Sequence, residues 1–464
     1  MKNRTLNKLS LTVCTASVLG IFVSSQVFAA GFEKSVFWSG HYSALAGAAQ
    51  SSVTGPEALY WNPAGLAGSE GLQISGDFSP TLSKFSGNVP NGGAALLATS
   101  QGASPAVAQN TAQTNPKSIS SNTSFTPVGA AFISYGITPQ WGVGIGYDVV
   151  GGTRADYDSV DFGFPSGFIT PPLKADLSIT ELSLGTGYEV MPGFKVGASY
   201  RVTFVHADLD VANSGAVGTN ATFTSVQLAG LSQTTWNGFR VGAEYAPKDS
   251  PWGIGAVWRS RVNFNATGSA SVQTTEDGPA TGGTPVTGAT NTGSGNVGGT
   301  LPMRLDAASH YTFSPAWTGF VGYSFTNYDQ DQALNFGTTV ASPLGGNVSG
   351  AVPLSWSNMH NIRGAVEYNG FDGTPIRFGY VWTSQVTAAG DANPTIASPG
   401  TGNTFVLGTA HKITPNLTLD AAFEYSRDSG SVAAADLNGG AATTATGDYS
   451  AKAYVLHLGA TLAL

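Results

Sequence analysis

Six arginines stand on apolar–polar alternating stretches: Arg201, Arg240, Arg259, Arg304, Arg363 and Arg377. Glu244, Asp306, Glu367 and Glu424 lie on similar stretches. Two kinds of chemistry are open to such a set. The charges can pair with one another, or an arginine can hold a ligand carboxylate through charge-assisted hydrogen bonds. Catalytic patterns are missing. His41, His206, His310, His360, His411 and His457 are scattered, and no H-E-x-x-H occurs. No G-x-S-x-G elbow is found, and the adjacent Ser309 and His310 do not make a triad. Asp156, Asp158 and Asp161 read as a solvated acidic patch rather than a Ca²⁺ loop. The single cysteine, Cys14, falls in a leader segment. The remaining chain can form neither a disulfide nor a thiolate metal site. No metal, cofactor or enzymatic activity is expected.

The elements that must position these arginines follow from composition. Only 10% of the 464 residues are charged, against about 25% in a soluble domain. Gly numbers 61 of 464, close to twice the usual share of about 7%. Hydrophobic residues reach 41% without a run long enough for a membrane helix. Trp 9, Tyr 16 and Phe 24 are too many aromatics for a disordered chain. An outer-membrane β-barrel has all these features, because only every second residue of a strand meets lipid.

Lys2, Arg4 and Lys8, the apolar stretch that follows, and Val27-Phe28-Ala29 form a secretory signal over residues 1–29. Without its three basic residues, the 20 Lys+Arg become 17 against 28 Asp+Glu, a net of −11. A nucleic-acid partner is therefore not expected.

From residue 71 the chain alternates with period two. Trp141, Val143, Ile145, Tyr147 and Val149 alternate with Gly142, Gly144, Gly146 and Asp148. Leu417, Leu419, Ala421 and Phe423 alternate with Thr418, Asp420, Ala422 and Glu424. Six short turns punctuate the pattern: 138–140, 191–193, 247–249, 314–316, 372–374 and 414–416. Longer Gly/Ser/Thr/Asn-rich connections lie between them, clearest at 86–126, 271–300 and 385–403, and read as flexible, solvated loops. Short periplasmic turns alternating with long outer loops are the rhythm of an up-and-down barrel. Six turns join twelve strands, and strands at 71–85 and 446–464 make fourteen. The expected fold is all-β: a 14-stranded antiparallel transmembrane β-barrel over 71–464. Residues 30–70 are too few for a domain and too apolar for a free tail. A barrel this wide has a lumen that wall side chains do not fill. The segment is therefore expected to be a plug, which argues against an open general porin.

The start Ala30-Gly31-Phe32, the stretch ending Gly47-Ala48-Ala49 and the tripeptide Asn62-Pro63-Ala64 resemble the FadL family. Its members are outer-membrane transporters of long-chain fatty acids and aromatic hydrocarbons. Val257-Trp258-Arg259-Ser260-Arg261-Val262, Leu301-Pro302-Met303, Tyr323-Ser324-Phe325-Thr326 and Phe378-Gly379-Tyr380 extend the resemblance along the chain. It implies a monomer in the outer membrane of a Gram-negative bacterium, contacting lipid and lipopolysaccharide. It also implies capture of a hydrophobic molecule at the outer loops, luminal binding, hatch movement and lateral release at a kinked third strand. Carried onto this sequence, Asn62, Pro63 and Ala64 become the hatch motif. Gly151 and Gly152 become the lateral-gate kink. His206, Arg201 and Arg259 become ligand-binding candidates. His206 falls where the family's fatty-acid transporter has a pocket arginine, and uncharged Asn335 falls near its pocket lysine. A neutral hydrocarbon or ester then competes with a fatty acid as the ligand.

Overall fold

The computed structural model describes residues 38–217, 220–278, 282–329, 333–341, 347–396, 398–438 and 441–464. The expected signal, 1–29, and the first residues of the expected plug lie outside them.

Fourteen antiparallel staves make the wall. They are β1 Leu72–Val89, β2 Ser124–Thr138, β3 Trp141–Tyr157, β4 Leu173–Met191, β5 Phe194–Val217 and β6 Asn220–Tyr245. Four staves run in two segments: β7 Trp252–Arg259 and Val262–Asp277, β8 Asn291–Leu301 and Arg304–Ser314, β9 Trp317–Thr326 and Ala333–Ala341, β10 Asn347–Pro353 and Met359–Tyr368. The ring is completed by β11 Ile376–Thr383, β12 Thr401–Thr414, β13 Leu417–Val432 and β14 Gly447–Ala463. It closes where Gln73 through Ser86 of β1 pair with Ala463 through Ser450 of β14. A buried polar chain reinforces the closure. Ser79 Oγ and His457 Nδ1 are 2.8 Å apart, and His457 Nε2 lies 3.2 Å from Glu424 Oε2. It links β1, β14 and β13.

All six expected turns join neighbouring staves. The alternation becomes two faces. On β14, Tyr454, Leu456 and Leu458 are exposed, whereas Ala453, Val455 and His457 are buried. Tyr135, Trp141, Tyr188, Tyr245, Trp252, Tyr311 and Trp317 lie exposed beside the short turns. They form the aromatic girdle of one membrane interface.

The outer side departs from expectation. Much of 271–300 is wall rather than loop. Ser271 and Val272 of β7 pair with Thr292 and Asn291, and β8 continues to Leu301. Its residues, NTGSGNVGGTL, carry no large exposed side chain. The long connection after β1 folds into two helices, α1 Gly92–Ser100 and α2 Pro105–Thr114. The 385–403 stretch is not merely solvated: Val386 and Ile396 are 1% exposed and join the apolar core. Burial of these two side chains offsets the ordering of a polar loop.

Candidate functional site

Residues 38–71 fill the lower lumen with short helical turns and buried side chains. Their seat is lined by glycine. An added Cβ at Gly136, Gly142, Gly187, Gly242, Gly255 or Gly379 would run into the backbone or side chains of residues 46–69. These positions lie on β2, β3, β4, β6, β7 and β11. Glycine here lets two backbones approach closely.

Polar contacts fix the segment. Asn62 caps the helical turn Pro63–Leu66 by accepting from Ala64 N–H at 3.2 Å. Its Nδ2 donates to the Gln50 carbonyl at 2.6 Å and to the Ala243 carbonyl of β6 at 3.1 Å. One side chain thus joins two turns of the segment to the wall. Gly40 N–H donates to Asp77 Oδ1 at 3.0 Å, and His41 Nδ1 is 3.3 Å from Asp420 Oδ1. Glu57 accepts from Ser39 Oγ at 2.7 Å. Burial first, and then the neighbouring Asp77 carboxyl, push the Glu57 carboxyl well above its ordinary range.

The luminal arginines are engaged. Arg240 donates to the Leu59 carbonyl at 3.0 Å and lies over the Tyr60 ring at 4.8 Å. Arg363 donates to the Gly47 carbonyl at 3.0 Å. Arg377 bridges Glu367 at 2.6 Å and Asp420 at 3.1 Å, and Arg304 meets Asp306 at 2.8 Å. Arg201, fully buried, holds Glu181 through two nitrogens, and its Nη1 donates to the carbonyls of Phe239 and Ser260 at 3.0 and 3.2 Å. Arg259 Nη2 donates to the Pro302 carbonyl at 3.4 Å. His206 stands elsewhere, exposed on the same face of β5 as exposed Phe204. The three ligand-binding candidates therefore do not converge on one pocket.

Above the plug the lumen holds a small, mainly apolar cavity. Leu177, Leu209, Phe264, Val297, Leu334 and Ile396 line it, together with Thr153, Asp176 and Asp208. One continuous hydrophobic cluster joins most of these residues to the plug aromatics Trp38, Tyr60 and Trp61. Trp38 packs on Tyr60 and on Phe132 of β2, each at 4.9 Å between ring centres.

Beside Trp38 the wall is open. The β2–β3 ladder runs from Thr138↔Trp141 to Ala131↔Tyr147 and stops. Beyond it, β3 pairs only with β4, and Ser124–Ala130 of β2 pair only with β1. Asn122 N–H to the Asp156 carbonyl, at 2.9 Å, bridges the far end. The register of β3 shifts between Val149 and Gly151, so Val150 is an extra residue. The bulge corrects the expected facing of Val149. Asp148 through Thr153 are all buried, and alternation resumes only beyond them. Gly151 and Gly152 lie at this irregularity. The indole N–H of Trp38 donates to the Val149 carbonyl at 3.2 Å, occupying an acceptor that β2 leaves free. Trp38 was not among the residues singled out from sequence. Pro127, which the structure places inside β2, fits the open edge, because proline suits strands with an unpaired side.

Residues 20–463 match the family described as outer membrane protein transport protein (OMPP1/FadL/TodX). The chain belongs to this family. As an OMPP1/FadL/TodX protein it is a Gram-negative outer-membrane β-barrel of a transport family, not an enzyme. It is 25% identical over 321 residues to outer membrane protein P1 of Haemophilus influenzae, covering 62% of this chain and 63% of that protein. The chain thus spans less than two thirds of that relative's length. Two solved structures share the fold at 15% identity, each covering 93% of this chain and 99% of the other. They are the toluene transporter TodX of P. putida, TM-score 0.69, and a FadL homologue of Pseudomonas aeruginosa, TM-score 0.68.

Proposed function

We propose that this protein carries hydrophobic molecules across the outer membrane. They enter the apolar lumen from the outer mouth and leave sideways between β2 and β3 when residues 38–71 withdraw Trp38. The observation that carries this reading is the unpaired edge of β3, stoppered from inside by the Trp38 indole. An apolar lumen gives such a molecule about 0.8 kcal/mol per buried CH₂. A lateral exit delivers it to bilayer rather than to water. The Asn62-Pro63-Ala64 turn acts as the latch of the hatch, since the Asn62 amide donates to both hatch and wall.

Within the hydrophobic class we place neutral hydrocarbons ahead of fatty acids. The luminal arginines are engaged with carboxylates and with carbonyls of plug and wall, and His206 faces outward. The test is uptake of labelled toluene and labelled oleate by cells lacking the gene, and by cells with it restored. The expected result is a toluene deficit rescued by the full chain, but not by an assembled barrel lacking residues 30–66. Equal toluene uptake in all three strains, with no second transporter active, would refute the proposal. A deficit confined to oleate would reverse the order of substrates.

A further inference from the structure

The wall has a second break, four staves from the first. Between β6 and β7 the ladder holds at Ser232↔Thr267 and again at Arg240↔Arg259. No ladder pair joins the residues between. The register also shifts by one residue next to the gap, between Ala229 and Ser232 of β6. Each stave is distorted there: β6 bulges against β5 between Thr235 and Gly238, and β7 is interrupted between Arg259 and Val262.

Side chains stitch this seam in place of most of the ladder. Phe239 N–H donates to Ser260 Oγ at 2.9 Å, beside one backbone bond from Ser260 N–H to the Phe239 carbonyl at 2.9 Å. Asn265 N–H donates to the Gln233 side chain. Arg201 reaches from the lumen to the carbonyls of Phe239 and Ser260, one on each stave. On the lumen side stand Val262 and Phe264, 0% and 5% exposed, within the apolar core. On the outside, Trp236 is 66% and Phe239 52% exposed, with exposed Asn263 and Asn265 further along. That order, aromatic and then amide, marks the boundary between hydrocarbon and headgroups.

We infer that the β6–β7 seam is a second lateral port, through which acyl-chain-like apolar molecules pass between the outer leaflet and the upper lumen. A backbone ladder over this span would have to break several buried hydrogen bonds together to open. The Gln233 and Ser260 stitches can swing away one rotamer at a time, whereas Arg201 stays held by Glu181 on the lumen side. The port rests on the proposed hydrophobic transport, but its test does not use transport.

The full chain, with Cys14→Ser, receives Gln233→Cys and Asn265→Cys across the seam. A control carries Leu407→Cys and Phe423→Cys, directly opposed and exposed on the intact β12–β13 ladder. Both are reconstituted in vesicles containing a phospholipid with a diazirine on its acyl chain, then closed with a reducible bis-maleimide. Before closure, photolabelling is expected on Val262 and Phe264. Closing the seam is expected to lower it at least fivefold, with recovery on reduction, and closing the control pair is expected to leave it unchanged. The double variant Gln233→Ala, Ser260→Ala is expected to at least double it. No labelling of Val262 and Phe264 before closure, labelling indifferent to closure, or no gain in the double variant would overturn the port. A chain that labels as expected but takes up neither toluene nor oleate would instead sink the transport reading.

Discussion

Replacing Trp38 by alanine is expected to unstopper the β2–β3 break without unfolding the barrel. Trp38 is fully buried, with Tyr60, Trp61 and Phe132 around it. Truncating such a side chain costs about 3–5 kcal/mol. Nearly all of that falls on the docked plug, because the fourteen-stave ladder does not involve the indole. At about 1.4 kcal/mol per decade, the population with the plug displaced rises by about two decades or more. Trp38→Phe keeps the ring but leaves the Val149 carbonyl without its donor, costing about 1–3 kcal/mol, or roughly one to two decades. Ion conductance of single proteins in planar bilayers reads the displaced population. Protease sensitivity of residues 38–71 reads it independently. Heat-modifiable mobility on gels confirms an intact barrel. The expected order of leak is Trp38→Ala above Trp38→Phe above the natural chain. An intact Trp38→Ala barrel as tight as the natural one would refute the reasoning, and equal leak in both variants would refute the assigned role of ring volume.

Three further outcomes are expected. Asn62→Ala removes two donated bonds and a helical cap, about 2–3 kcal/mol in all, so the plug is expected to become protease-sensitive at a lower urea concentration while the barrel stays folded; an unchanged urea threshold would contradict the latch. Deleting Val150 removes the bulge and leaves every other β3–β4 pair as it stands; toluene uptake is expected to fall at least tenfold in an assembled barrel, and undiminished uptake would count against exit at β3. Glu57 has a raised carboxyl value in the docked plug, so docking holds the proton more tightly than release does; plug stability is therefore present at low pH and lost as pH rises through the docked value, leak is expected to grow with pH, and Glu57→Gln, facing the same Asp77 and Asp420, is expected to flatten that dependence.

The wall was legible in the sequence because its signals are local. A period-two pattern needs only neighbouring residues, and turns such as Thr138-Pro139-Gln140 carry their own chemistry. The outer half was less legible. Asn291–Leu301 is strand without bulky residues, and its Gly, Ser, Thr and Asn composition is also that of loops. Val386 and Ile396 look like stray apolar residues until the lumen that receives them is present. The breaks in the wall were hidden for another reason. A missing ladder belongs to two strands at once, and each strand still pairs on its other side. The Ser79–His457–Glu424 chain was invisible because Ser79 and His457 are 378 residues apart. The arginines were found but their partners were not. Alternation says that Arg240 faces inward, and only the folded plug supplies the Leu59 carbonyl it meets.

The glycine-lined seat also sets an order of events in biogenesis. Backbone and side chains of residues 46–69 lie where even a methyl group on β2, β3, β4, β6, β7 or β11 has no room. Staves from both halves of the chain therefore mould to the segment at once, and the first and last staves must still find each other across the whole sequence. A closed ring gives a polypeptide less slack to settle into so tight a mould than one still wrapping. The segment is therefore expected to act as an internal template that speeds the wrapping of the cylinder. Protection of residues 38–71 from protease and the appearance of the heat-resistant form should share one half-time during assembly, and a barrel that closes first and shelters the segment later would show that the template is not needed.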